Sequence, residues 1–280
     1  MCPNLSLPTM CDASHIRTVK KLLDTTMKKI SRPPIFPIIA TFISGLLPTG
    51  FAASYSATAI SDAFVATGPT GNLSNNNYGG GGALAVAASG LSNGEFQSVI
   101  KFDLSGARTS LDSQFGAGGW SIQSVSLQLS SSPHSNAIYN DVAAGSFSVS
   151  LMQNNSWVEG TGNASNPSAT GITFNTLQST FVNNAVDQAL GTFSFDGGTS
   201  GVNGYSLELS SGLSADILGG ANAGLRLFAA DDQVSYLFSS RASTSPQLII
   251  LAVPEPTVLS LVGLGSVILL WSGRHRLKPR

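Results

Sequence analysis

The chain carries three histidines, His15, His134 and His275, and two cysteines, Cys2 and Cys11, a thin supply of the side chains that do nucleophilic or metal chemistry near neutral pH. Only His134 falls in the middle of the sequence, after Ser132-Pro133 and with no glycine-flanked nucleophile beside it. A Ser-His-Asp hydrolase needs serine, imidazole and orienting carboxylate in one place, and this stretch reads instead as a solvated loop histidine. Acids are plentiful, but a glycosidase needs two of them facing each other across a bond, a pairing defined in space and unmarked in sequence. Asp231-Asp232 supplies hard oxygens of the kind calcium takes, although a calcium site collects about six to eight ligands and two neighbours fall far short. Structural calcium is the one metal left open, and no other cofactor is expected. Sugar recognition would use aromatic faces. Tyr78 and Tyr139 are expected to be exposed and are the first candidates; Trp157, large and apolar beside a turn, reads first as an anchor of core or loop.

The two ends of the chain are more specific. Val253-Pro254-Glu255-Pro256 is followed by an apolar run from Thr257 to Trp271, then by Arg274, His275, Arg276, Lys278 and Arg280. The run is about fifteen residues, at or below the roughly 17 to 25 of a membrane-spanning helix. Its Leu259, Leu261, Val262, Leu264, Val267, Ile268, Leu269 and Leu270 leave no polar face of the sort a core-packed helix keeps. A short transmembrane helix is therefore expected over about residues 257–272, with the basic end in the cytoplasm and the body of the protein outside. Motif, helix and arginines in this order resemble the PEP-CTERM sorting signal of bacteria with an outer membrane. The resemblance covers residues 253–280. It implies a processing partner, the membrane protease exosortase, which recognises Val253, Pro254, Glu255 and Pro256 with Arg274 and Arg276 behind them, cuts near the motif, and passes the protein to the cell surface or extracellular matrix. Contact with the membrane through the C-terminal helix is then transient, as with a glycolipid-anchor signal. An ordinary C-terminal anchor on a proline-rich stalk is the alternative.

Upstream, Met27-Lys28-Lys29 and Arg32, an apolar region from Ile35 to Leu47, and Gly50-Phe51-Ala52 are the three parts of a secretory signal peptide over residues 27–52. Cleavage is expected after Ala52, with Ser54 as second choice. Residues 1–26 are polar, mixed in charge and without a periodic apolar face; a misplaced start, with Met27 the initiator, is the simplest account, and an extended signal peptide the alternative. Trimming at both ends removes both cysteines, so the exported part has neither a disulfide nor a cysteine-ligated metal.

What remains, residues 53–252, is long enough for one domain with a sizeable core. Lys101, Arg108, Arg226 and Arg241 are its only basic side chains against twelve acids, a net charge of roughly −8, which disfavours nucleic acid and anionic membrane surfaces as partners. Strict alternation in Ser124–Ser130, Ser146–Leu151 and Tyr205–Ser210 puts apolar side chains on one sheet face and hydroxyls on the other. Further strands are expected at Phe96–Phe102, Gly191–Phe195, Gly224–Ala229, Val234–Ser239 and Gln247–Leu251, with glycine-rich turns between; only Phe181–Leu190 and Ser214–Leu218 look helical. The pattern predicts an all-β fold, a two-sheet antiparallel jelly-roll-like sandwich.

Several short motifs, taken in order, extend this. Ser61-Asp62-Ala63-Phe64-Val65, Asn76-Asn77-Tyr78-Gly79 and Ser98-Val99-Ile100-Lys101-Phe102-Asp103-Leu104 resemble the opening of the DNRLRE-type β-sandwich family. Trp157-Val158-Glu159-Gly160, Gly171-Ile172-Thr173-Phe174-Asn175, and Phe238-Ser239-Ser240-Arg241-Ala242 before Pro246-Gln247-Leu248-Ile249 continue the resemblance. The chain departs from the pattern at Phe174, where a tryptophan is commoner, and over residues 175–204. Such domains resemble carbohydrate-binding modules, which implies extracellular polysaccharide as a partner. Arg241 is expected to pair with Asp231 or Asp232, and Lys101 and Asp103, flanking Phe102, to share a solvated sheet face. The expected function is a non-enzymatic exported surface or matrix protein that associates with exopolysaccharide. A dedicated carbohydrate-binding module with a defined sugar site is the first alternative, a secreted polysaccharide lyase or glycosidase the second.

Overall fold

The computed structural model describes residues 51–255 apart from 134, 136, 137 and 140. Residues 1–50, which hold the expected extension and most of the signal peptide, and residues 256–280, which hold the expected membrane helix, lie outside it; among the described residues no helix is long and apolar enough to cross a membrane.

Ten strands dominate: β1 Ala53–Ala66, β2 Ala83–Ala87, β3 Phe96–Asp103, β4 Trp120–Ser130, β5 Gly145–Met152, β6 Gln188–Phe195, β7 Val202–Leu207, β8 Asn222–Ala229, β9 Ser235–Ser239 and β10 Gln247–Pro254. All pairings are antiparallel, in the order β6-β5-β8-β3-β1-β10-β4-β7, with β9 on β2 and β2 touching β3. The path nearly closes on itself where the N–H of Glu208, just past β7, donates to Leu190 O of β6 at 2.8 Å. Alternation explains the core. On β4 the side chains of Val125, Leu127 and Leu129 are fully buried while Ser126 and Gln128 between them are only half-buried. Burying such a side chain stabilises by roughly 1.5–3 kcal/mol.

Fourteen-residue β1 changes partners in mid-course. Ala53–Thr58 pair with β10; Ala59 and, after a bulge at Ile60, Ser61–Ala66 pair with β3. A bulge bends a strand and re-aims its side chains, and this one lies inside the β1–β3 ladder, just past the change of partner between Thr58 and Ala59. From Ala63 onward both faces are apolar. Phe64 and Ala66 enter the main core, whereas Ala63 and Val65 join Val99, Met152, Trp157, Ile172 and Leu177 in a second, smaller cluster beneath the connection between β5 and β6. This explains why β3, expected as a plain strand, is buried nearly throughout.

Helices differ more from expectation. Ser105–Phe115 forms α1, which sequence reading left out: serine and glycine lower its propensity, but Ala107 and Leu111 are buried against the core. No helix spans Phe181–Leu190. A short α2, Phe174–Thr176, capped by the Thr173 hydroxyl, runs into one π turn ending at Phe181. Asp187 then turns the chain by accepting from the N–H groups of Gln153 and Asn183, and from Gln188 onward it pairs with β5. Helix α3, Ser211–Gly219, is longer than expected, because the Ser210 hydroxyl accepts from Leu213 N–H and takes the end of the alternating Tyr205–Ser210 run as its N-cap. Gly220 closes it in the left-handed conformation at φ 66°.

Candidate functional site

Asn77 is wholly buried and uses its full hydrogen-bonding capacity. Its Nδ2 donates to Glu159 O at 2.6 Å and Ile172 O at 2.7 Å, and its Oδ1 accepts from the N–H groups of Gly79 and Gly162 at 3.2 and 3.1 Å. One side chain thus ties the β1–β2 loop to two stretches of the β5–β6 connection, 82 to 95 positions away. Close approach requires glycine at these loops: a Cβ on Gly79 would lie 2.1 Å from Glu159 O, and Gly160, at φ 78°, would place one 2.2 Å from Asn77 Oδ1. The knot also holds a charge cluster. The guanidinium of Arg241 grips Glu159 at 2.9–3.2 Å through Nε and Nη2, while the backbone N–H of Arg241 donates to Asp62 Oδ2 at 2.6 Å. Burial, with the Glu159 charge adding to it, pushes the Asp62 carboxyl up to about 6; the Arg241 N–H bond and charge oppose this. The motifs that suggested a family resemblance therefore meet in space, as a structural tie.

The expected exposure of Tyr78 and Tyr139 is corrected. They are 2% and 4% exposed: Tyr78 stacks on Phe64 at 4.8 Å, and Tyr139 meets the same ring edge-on at 5.1 Å. Aromatic pairing within the core takes the faces a sugar would need. Trp157, 2% exposed, packs in the second cluster, with Lys101 Nζ 4.5 Å from its ring centroid and donating to its carbonyl at 3.0 Å. Lys101 is accordingly half-buried, and desolvation lowers its pKa; Asp103 is the solvated member of that pair and accepts from Ser105 N–H. Arg241 pairs with Glu159, not with Asp231 or Asp232. The Asp231 carboxylate is already occupied by the N–H groups of Ser146, Gln233 and Val234, which shape a turn. Among the described residues no three His, Cys, Asp or Glu side chains group as metal ligands. His134, Pro256, Arg274 and Arg276 lie outside the described residues.

A groove that sequence reading did not identify opens on the outer face of β5, β6 and β8. Because Phe147, Val149 and Leu151 point inward, Ser148 and Ser150 point outward, and register sets them beside Thr192 of β6 and beside Phe228 and Arg226 of β8. The cavity holds about 370 Å³ and is lined also by Asn184 and Glu208. Arg226 is its fixed cation. Its Nε donates to Gln97 Oε1 at 2.8 Å and its guanidinium lies 4.3 Å over the Phe228 ring. The buried Gln97 is held in turn by Gln178 and by Glu95. Burial lowers the Arg226 pKa, against the charges of Glu95 and Asp187. Asp187 lines the groove but spends both oxygens on backbone N–H groups, whereas the Glu208 side chain has no partner among the described residues. A rigid cation, a free carboxylate, hydroxyls and an apolar ring offer donors, acceptors and a hydrophobic face to a polyhydroxylated ligand. Arg226 and Phe228, two apart in an alternating strand, are the signal that could have revealed it.

At one pole of the sheet the two expected processing regions meet. Ala53, first residue after the expected signal cleavage, pairs with Ala252, and exposed Ala52 precedes the strand. Beyond Ala252, β10 runs two residues farther on β4 alone, with Val253 opposite Ser121 and Pro254 opposite Trp120; Glu255 N–H then donates to Gly119 O at 2.9 Å. Compared with known proteins, the chain matches no family model and no curated protein.

Proposed function

We propose that this is a non-enzymatic exported protein, sorted by exosortase through Val253, Pro254, Glu255 and Pro256 to the cell surface or extracellular matrix, where its domain associates with exopolysaccharide. The observation that carries the reading is the fit between fold and signals: β1 starts at Ala53, directly after the expected signal cleavage, and β10 ends at Pro254, inside the sorting motif. A domain bounded so closely by two removable segments is a self-contained cargo. In this reading the nearly closed sheet is a jelly-roll-like sandwich of the DNRLRE type. The switch of β1 after Thr58 supports it, by dividing the strands into a β10–β4–β7 side and a β3–β8–β5–β6 side. Polysaccharide association is assigned to the groove around Arg226 and Phe228, in place of Tyr78, Tyr139 and Trp157. Mass spectrometry of both termini, in cells with and without exosortase, tests the sorting. The expected mature form begins near Ala53 and loses its tail only when the protease is present; an intact Arg280 end in both strains would leave a plain anchored protein.

A further inference from the structure

The groove on β5, β6 and β8 has one cation in its wall, and the charges around that cation decide which sugars it can hold. Among the described residues Arg226 commits only its Nε, to Gln97 Oε1, and its two terminal nitrogens are left to a ligand. A guanidinium fork donates to two oxygens at once, and a carboxylate and a pair of neighbouring hydroxyls both present two. The fork alone therefore does not separate an acidic sugar from a neutral one. Its neighbours do. Asp187 lines the same groove and is pinned by the N–H groups of Gln153 and Asn183, so its charge cannot swing away. Glu208 lines it too, exposed and without a side-chain partner among the described residues. Glu95 stands behind the cation, one link away through Gln97, and acts on Arg226 electrostatically as Asp187 does. One positive charge is thus set among three negative ones, in a domain whose net charge is roughly −8. A uronate drawn to Arg226 would also meet the repulsion of these carboxylates. Glu208, moreover, can only accept, so it needs a donor from its ligand, which a hydroxyl has and an ionised uronate carboxylate lacks. The rest of the wall is uncharged: Ser148 Oγ and Thr192 Oγ1 lie 2.8 Å apart, and half-buried Phe228 lies under the guanidinium.

We propose that the groove holds a neutral polysaccharide, a chain of uncharged hexoses, and discriminates against polymers of uronic acids. The inference rests on the assignment of polysaccharide association to this groove and goes further by naming the class of sugar. Arg226 donates to a pair of neighbouring ring hydroxyls, Glu208 accepts from another, and the apolar face of a hexose lies toward Phe228. Selectivity of this origin is electrostatic, so it is greatest at low salt and fades as ions screen the carboxylates, over a Debye length of about 10 Å at 0.1 M.

The test is calorimetry of the purified full chain at pH 7 with matched pairs of hexasaccharides, built from glucose or glucuronate, galactose or galacturonate, and mannose or mannuronate. Within a pair the sugar units differ only in bearing a hydroxymethyl group or a carboxylate. In a pair that binds, the neutral member is expected to bind about 10-fold more tightly at roughly 10 mM salt, the gap narrowing to about 3-fold near 0.5 M. Glu208→Gln removes a charge and keeps an acceptor oxygen; it should shrink the low-salt gap by about 3-fold. Arg226→Ala should weaken the neutral member roughly 5- to 30-fold, with Phe228→Ala in its place if the R226A chain does not melt cooperatively. A uronate bound as tightly as its neutral partner, or a gap that neither salt nor E208Q alters, overturns the neutral class and leaves polysaccharide association standing. Full affinity in both R226A and F228A moves the sugar off the groove and overturns the inference with it. If none of the hexasaccharides binds, polysaccharide association itself falls, and the sugar class falls too.

Discussion

Asp62 holds a carboxyl group in a nearly dry site, facing Glu159 and tethered to the Arg241 backbone. Its pKa of about 6 against 3.8 means that the folded chain binds this proton more tightly than the unfolded one does. The stabilising share is fully present below about pH 3.8 and is lost as pH rises through 6, a change of about 3 kcal/mol at 1.36 kcal/mol per unit. Asp62→Asn keeps an oxygen for the Arg241 N–H and cannot ionise. Urea unfolding between pH 4 and pH 7 should therefore show the D62N chain losing less stability than the unsubstituted one, by about 2–3 kcal/mol across that window; parallel pH curves would refute the assignment. Little of this was legible in sequence. Arg241 has two acids ten and nine residues away in Asp231 and Asp232, yet its partner is Glu159, 82 positions distant, because the knot around Asn77 brings the loops together. Side-chain partners set by three converging loops leave no periodic trace.

Strands leave a clear one. The apolar alternation of β4 and β5 is the direct imprint of one buried face, and every strand expected from the sequence has a counterpart in the fold. Helix α1 was hidden by its serines and glycine, although Leu104, Ala107, Leu111 and Phe115 follow helical spacing. The expected Phe181–Leu190 helix failed for the opposite reason: local propensity there gave way to pairing of Gln188–Phe195 with β5. The groove shows what alternation conveys and what it omits. It tells that Arg226 and Phe228 share a face of β8, but not that Ser148, Thr192 and Glu208 lie beside them, since strand order is a property of the whole sheet. If the groove binds exopolysaccharide, Arg226→Ala and Phe228→Ala should each weaken binding by about 1–2 kcal/mol, roughly 5- to 30-fold. Calorimetry against the purified polymer checks this, with thermal melting to verify that each variant is folded. Affinity unchanged in both variants would remove the groove from the proposal.

For the whole molecule the decisive relation is between its two ends. Both boundaries of the folded unit lie side by side on β1 and β10, so whatever attaches the chain at either end leaves the same pole, and the groove on β5, β6 and β8 belongs to other strands of the sheet. Adjacent ends also make the linear order of this domain dispensable. A peptide of about three to five residues can join Pro254 back to Ala53, closing the backbone into a ring that can be reopened elsewhere without unpairing a strand. The exposed Gly116-Ala117-Gly118 turn between α1 and β4 is a suitable place, since few contacts cross it. Such a circular permutant should fold with the same far-ultraviolet spectrum and a melting temperature within about 5 °C of the parent domain; a chain that fails to fold would show that free ends at Ala53 and Pro254 are part of how this sheet assembles.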